Sequence, residues 1–270
     1  MRFPTLAFLM ISLQLSVSPV SALQIPKYNV SLIDVINTVE KPFKPDRNGQ
    51  TELSSVRADF FQRSTIAEKK KEYRADGQMY LKPASGSEPL KFRFDYFRPT
   101  RQEIVCDGRT LWVYLPENRE VIQSDVSEFF DPSRHDISRD RALNFLQGLG
   151  RISKDFTIIF NSSMSDPAGN YILELTPRRA SVTIEKLFIT VNRESLIDRT
   201  GTRPQLNVPP AKNPESHLFP ILSTTVVDHD GNSTTMEFSN IRANEMISDL
   251  TFKFDVPPEI QVVRPEGRRR

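Results

Sequence analysis

Apolar residues fall on every second position in one segment after another. In "KFRFDYF", 91–97, Phe92, Phe94 and Tyr96 alternate with Arg93 and Asp95; in "LSSVRADFFQ", 53–62, Val56, Ala58 and Phe60 alternate with Arg57 and Asp59. A period of two is the pattern of a strand with one face buried. "QEIVC" and "RTLWVY" flank Asp107-Gly108, a strong short-range hairpin signal. "YILEL" (171–175), "VTIEKLFITV" (182–191), "ILSTTVV" (221–227), "TTMEFS" (234–239) and "LTFKFDV" (250–256) continue the series, with "DHDGN" (228–232) as a turn. The expectation is a mainly β chain with antiparallel pairing.

Few helices interrupt it. "NVSLIDVINTVE" sets Leu32, Val35, Ile36 and Val39 at helical spacing behind a Ser31/Asp34 capping box, and Pro42 and Pro45 end it. "RDRALNFLQGLG", 139–150, puts Ala142, Leu143, Phe145, Leu146 and Leu149 on a wide apolar arc, a short greasy helix stopped by Gly148 or Gly150. Residues 199–220 have five prolines and little periodicity, so they read as a long loop insertion.

A one-sided antiparallel sheet needs a cover for its apolar face: another sheet, a helix or a ligand. Eight or more strands against two or three short helices leave that cover incomplete. The inward set, Phe60, Phe92, Phe94, Tyr96, Ile104, Leu250, Phe252 and Phe254, is strongly aromatic, and the chain has 18 Phe and one Trp. Rigid aromatic walls suit a cavity for flexible chains. A filled β-sandwich or barrel would be lined in the same way, and the pattern alone does not separate the two.

Composition removes several other classes. Residues 1–22, with Arg2, an apolar stretch from Leu6 to Val17, and small residues before Leu23, have the layout of a secretory signal, leaving about 250 residues for one domain, 23–265, and a basic tail, 266–270. Cys106 is the single cysteine, which precludes an intramolecular disulfide and a thiolate zinc cluster. Lys+Arg 36 against Asp+Glu 34 are interspersed except at "EKKK" (68–71) and "RRR" (268–270), so there is no basic face for nucleic acid.

The order of these signals resembles the LolA family, carriers of lipoproteins from the inner to the outer membrane of Gram-negative bacteria. The resemblance runs through "LSSVRADFFQ", "DGQMYLKP", "KFRFDYFRPTRQEIVCDGRTLWVYLPENREV", "RALNFLQGLGRISKDFTI" and "FKFDVPPEIQVV". It implies a strongly bent, incomplete barrel whose concave apolar face is covered by a helical lid. It also implies a soluble periplasmic monomer without metal, cofactor or catalytic residues, which takes lipoproteins from an inner-membrane lipoprotein-releasing transporter and delivers them, through an outer-membrane receptor in some systems.

The resemblance implies Phe92, Phe94 and Ile104 as lipid-binding residues and Leu143, Phe145 and Leu146 as lid residues; the inward pattern adds Phe60, Tyr96, Phe252 and Phe254 to the first set, and the apolar arc adds Leu149 to the second. Where the family has Lys-Arg-Pro, its arginine closing the lid, this chain has Lys82 directly before Pro83. Lys82 is then the lid-closing candidate, a point charge in place of a planar fork.

A LolA-like carrier of another lipid or glycolipid, or a lipid sensor like the RseB regulators, is the competing binding role. An exported hydrolase is a different class. His135, His217 and His229 have no metal-ligand spacing, no G-x-S-x-G elbow is present, and no Gly-rich phosphate loop occurs.

Overall fold

The computed structural model describes residues 30–127, 148–161, 164, 166–201 and 217–265. In chain order its strands are β1 (Val56–Ile66), β2 (Lys71–Lys82), β3 (Lys91–Arg98), β4 (Gln102–Cys106), β5 (Thr110–Leu115), β6 (Glu120–Asp125), β7 (Phe156–Phe160), β8 (Tyr171–Pro177), β9 (Lys186–Val191), β10 (Ile221–Val227), β11 (Ser233–Ala243) and β12 (Gln261–Val263). The helices are α1 (Leu32–Glu40), α2 (Ile152–Asp155) and α3 (Arg193–Thr200).

These strands form one sheet in the order β12-β6-β5-β4-β3-β2-β1-β11-β10-β9-β8-β7. Its pairs are antiparallel apart from β12 on β6. The edges β7 and β12 do not meet, so the sheet is open: the mainly β content is what the alternation predicts, and the incomplete barrel is what the resemblance implies.

Local chemistry explains where the elements turn. Gly108 supplies the left-handed φ of +91° that the β4–β5 hairpin requires, and the Asp107 carboxylate accepts from the Arg109 and Thr110 amides. The turn 228–232 closes the same way, with Gly231 at φ +75° and Asp228 accepting from the Asp230 and Asn232 amides. Ser31 and Asp34 form the expected capping box at the start of α1.

One cluster of buried side chains fills the concave side. Val35 and Val39 of α1 and Phe43 beyond it join Leu149, Ile152, Leu196 and Phe219 over the inward residues of the sheet. Phe219 is the link: its ring lies 6.1 Å from Phe43 and 5.6 Å from Phe238 of β11. Gly150 lets the turn Leu149–Arg151 sit against α1's end, because a Cβ there would come within 2.8 Å of the Phe43 carbonyl oxygen. Glu40 then accepts the Ser153 amide at 2.6 Å.

Three expectations need correction. Residues 250–256 are not a strand: Ser248 caps a 3-10 turn over Asp249–Phe252, and an extended, unpaired stretch follows. Leu250 is therefore not inward but 69% exposed. The loop predicted over 199–220 starts inside α3, capped by Asn192 and ended by Gly201 at φ +68°, and its last residues include the buried Phe219. Residues 202–216, and the predicted helix 139–150 up to residue 147, lie outside the described residues.

Candidate binding face

Cross-strand register decides which side chains share the concave face. Met79, Phe94, Ile104, Val113 and Ile122 are successive partners across β2 to β6, and Leu81, Phe92, Cys106 and Leu111 make a parallel row beside them. Residues facing one another across paired strands point to the same side, so both rows are concave. Met79, Leu81, Phe92 and Cys106 are buried, whereas Phe94, Ile104, Leu111, Val113 and Ile122 are half-buried. Burial holds the Cys106 thiol up at about 12, so it is a packing group and not a nucleophile.

Four aromatic rings run obliquely over this surface. Phe92 meets Phe94 at 5.9 Å, Phe94 meets Phe60 at 5.7 Å, and Phe60 meets Tyr96 at 4.9 Å, all edge to face. Gly77 makes the close step possible. It stands opposite both Phe60 and Tyr96, and a Cβ there would lie 2.6 Å from the Phe60 ring and 2.0 Å from the Asp95 carbonyl oxygen. At the outer end the Tyr96 hydroxyl donates to Gln62 Oε1 at 2.9 Å, and burial pushes the phenol up to about 12.

The structure thus brings Phe60, Phe92, Phe94, Tyr96 and Ile104 together, and Leu149 is buried in the cluster beneath α1. It places Phe254 elsewhere. The Phe254 ring lies 6.2 Å from Trp112 and 5.6 Å from Tyr114, and these two share the outer face with Arg93 and Asp95. Strand β5 is consequently apolar on both sides, which accounts for four consecutive large apolar residues: Leu111 and Val113 face inward and are half-buried, Trp112 and Tyr114 face outward against Phe254.

Phe252 is buried, and the segment that carries it is tied to outer-face groups. Arg93 donates to the Thr251 carbonyl at 3.4 Å, and Asp249 receives Lys82 Nζ at 2.7 Å with Lys91 Nζ at 3.7 Å. The Lys82 hydrogen bond and charge, joined by Lys91, hold the Asp249 carboxyl below its ordinary range. Lys82 Nζ also lies 5.8 Å from the Phe252 ring centre. Lys82 therefore fastens the chain after β11 to the outer face. The lid candidates Leu143, Phe145 and Leu146 lie outside the described residues.

Val113, Ile122 and Gly77 were missed from the sequence. The row of facing residues would have found the first two once β4 to β6 were aligned; the glycine's role requires the Phe60 rotamer. Among the described residues no group of three or more His, Cys, Asp or Glu could hold a metal ion.

Residues 51–207 match the family described as outer membrane lipoprotein carrier protein LolA. The chain belongs to the LolA family. An outer-membrane lipoprotein carrier protein of Chromobacterium violaceum is 40% identical over 209 residues, covering 77% of this chain and 81% of the relative. One from Methylobacillus flagellatus is 24% identical over 210 residues, covering 78% and 82%. Among solved structures, a LolA superfamily protein from Nitrosomonas europaea covers 83% of this chain and 98% of its own, at 16% identity and a TM-score of 0.39, too distant to say more about this LolA protein.

Proposed function

We propose that this protein carries lipoproteins through the periplasm, from the inner to the outer membrane, with their acyl chains laid against the half-buried part of the concave face. The row Phe94, Ile104, Val113, Ile122 carries the reading: it is continuous with the buried core at Met79 yet only half covered, and it presents no charged group. Each methylene withdrawn from water is worth about 0.8 kcal/mol, so an anchor of several acyl chains does not cross water unaided. A carrier needs only a surface of similar apolarity, which makes loading and release nearly neutral and leaves direction to the loading transporter and the receiving site.

No catalytic step enters this role, and no cofactor is needed for it. Export by residues 1–22, organisation of 23–265 as one domain, and lid action by Leu143, Phe145, Leu146 and Leu149 belong to the same proposal. Lys82 does not close the lid in it, being held by Asp249 on the outer face. That engagement favours one second reading, carriage of a different lipid or glycolipid with closure by other means.

Native mass spectrometry of the protein purified from a bacterial periplasm, with Phe94→Glu and Ile104→Glu variants beside it, tests the proposal. Acylated lipoprotein should accompany the wild type and be lost from both folded variants. Cargo that stays bound to both would refute the face assigned here, and free lipid alone would support the second reading.

A further inference from the structure

The hairpin of β1 and β2 projects past its neighbour. Strand β3 begins to pair only at Asp76, leaving Lys71–Ala75 without a partner on that side, and the turn 67–70 stands at the end. We propose that this tip is a contact finger for an anionic lipid surface, a step that deepens the carrier reading and rests on it for its biological use.

Charge is the first observation. Glu72 is engaged by Arg74 at 2.6 Å and Glu237 by Arg63 at 3.0 Å, whereas Lys69, Lys70 and Lys71 are exposed and have no ion pair among the described residues. Against them stand Glu68 and, in the turn 228–232 whose Asn232 accepts the Ala67 amide at 3.0 Å, the exposed Asp230 and the half-buried Asp228, so the exposed side of the tip, Lys69 to Lys71 against Glu68 and Asp230, is net cationic. A backbone feature adds to this. Lys70 sits at φ +47°, the left-handed region that glycine or asparagine occupies at least cost. A lysine there trades backbone comfort for a cation at the apex.

Aromatic residues supply the second half of an interfacial site. Tyr73 is 46% exposed, with Lys71 Nζ 4.6 Å from its ring centre, and Phe97, at the end of β3, is 54% exposed. Aromatic rings with flanking lysines are the groups that settle at the level of lipid headgroups. Tyr73 faces Ser64, on the same side of the sheet as Phe60 and Gln62, so the finger lies beyond the Tyr96 end of the aromatic row. Acyl chains leaving that row would emerge beside the lysines.

The test uses the mature protein without cargo and vesicles of phosphatidylethanolamine with or without phosphatidylglycerol, read by co-sedimentation at low and high salt. Each lysine near an anionic surface is worth roughly fivefold in partitioning, so the triple variant Lys69→Gln, Lys70→Gly, Lys71→Gln should lose on the order of a hundredfold. Binding of a diacylated peptide in detergent-free buffer should not change in that variant, which separates this proposal from the carrier reading. Because Lys70→Gly relieves the turn, thermal unfolding should be unchanged or shifted upward. Equal partitioning of wild type and variant, or partitioning indifferent to phosphatidylglycerol, would overturn the finger; loss of diacyl-peptide binding in the wild type would overturn the carrier reading instead.

Discussion

The two wings of the sheet present unlike concave faces. On β8 and β9 the inward Leu173, Leu175, Leu187, Ile189 and Val191 are aliphatic and fully buried, with only Tyr171 at the strand's start half-buried. On β3 to β6 Phe92 and Cys106 are buried too, but Phe94, Tyr96, Ile104, Leu111, Val113 and Ile122 remain half-buried. Both wings alternate apolar with polar, so period alone does not distinguish a filled core from a half-buried face. What distinguishes them is what covers each. A filled wing holds the fold together; a half-buried apolar wing keeps area in water, area that a greasy ligand would withdraw under the carrier reading proposed above.

The largest expected contrast comes from truncation of the filled wing. Leu187→Ala or Ile189→Ala should each lose about 2–5 kcal/mol in urea denaturation, the cost of an unfilled core cavity, while diacyl-peptide affinity is unchanged. Gly77→Ala should affect both properties, since the new methyl group meets the Phe60 ring and the Asp95 carbonyl. A stability loss of about 1–3 kcal/mol together with weaker acyl binding is expected from that overpacking.

A smaller effect is expected on the outer face. Phe254→Ala should cost roughly 1–2 kcal/mol, because the ring is half-buried, and should shift the fluorescence of Trp112, the chain's single tryptophan, to longer wavelength without altering acyl binding.

The smallest is a pH effect. The Tyr96 phenol, raised by burial from 10.0 to about 12, keeps its proton in the fold where the unfolded chain has lost it. Its contribution is therefore complete below pH about 10 and is lost as pH rises toward 12. Cys106, raised from 9.0 to about 12, adds a loss that starts lower. In Tyr96→Phe, chemical denaturation across this range should lose the Tyr96 part of the slope and retain the part from Cys106 and from Lys91 and Lys186, which their carboxylate partners also raise.

Much of this was legible in the sequence where local and tertiary preferences agree. The capping box of α1, the Asp107-Gly108 hairpin and the turn at Gly231 are local chemistry, and β1 and β3 alternate apolar with polar residues in the sequence itself. The start of β2, "KEYR", is exposed on both faces, so no apolar period could reveal it as a strand. "LTFKFDV" alternates for a different reason: Phe252 and Phe254 are anchored against other parts of the fold while the backbone between them joins no ladder. Helix α3 carries its Asn192 and Gly201 caps openly, but three prolines nearby at 204, 209 and 210 obscured them.

The candidate site was legible in part. Phe60, Phe92, Phe94, Tyr96 and Ile104 follow from alternation within single strands, and the structure sets them on one face. Phe254 was misplaced because period two says which residues share a side only within a paired strand. Lys82 was assigned by its place before Pro83, and a side chain's partner across 167 residues of sequence is not written in its neighbours.

Photo-crosslinking offers the most direct test of the central claim. A diacylated peptide with a diazirine in its acyl chains should, after irradiation and peptide mapping, label the wing containing Phe94, Ile104, Val113 and Ile122. Labelling confined to β8 and β9, or to the outer face around Trp112 and Phe254, would contradict it.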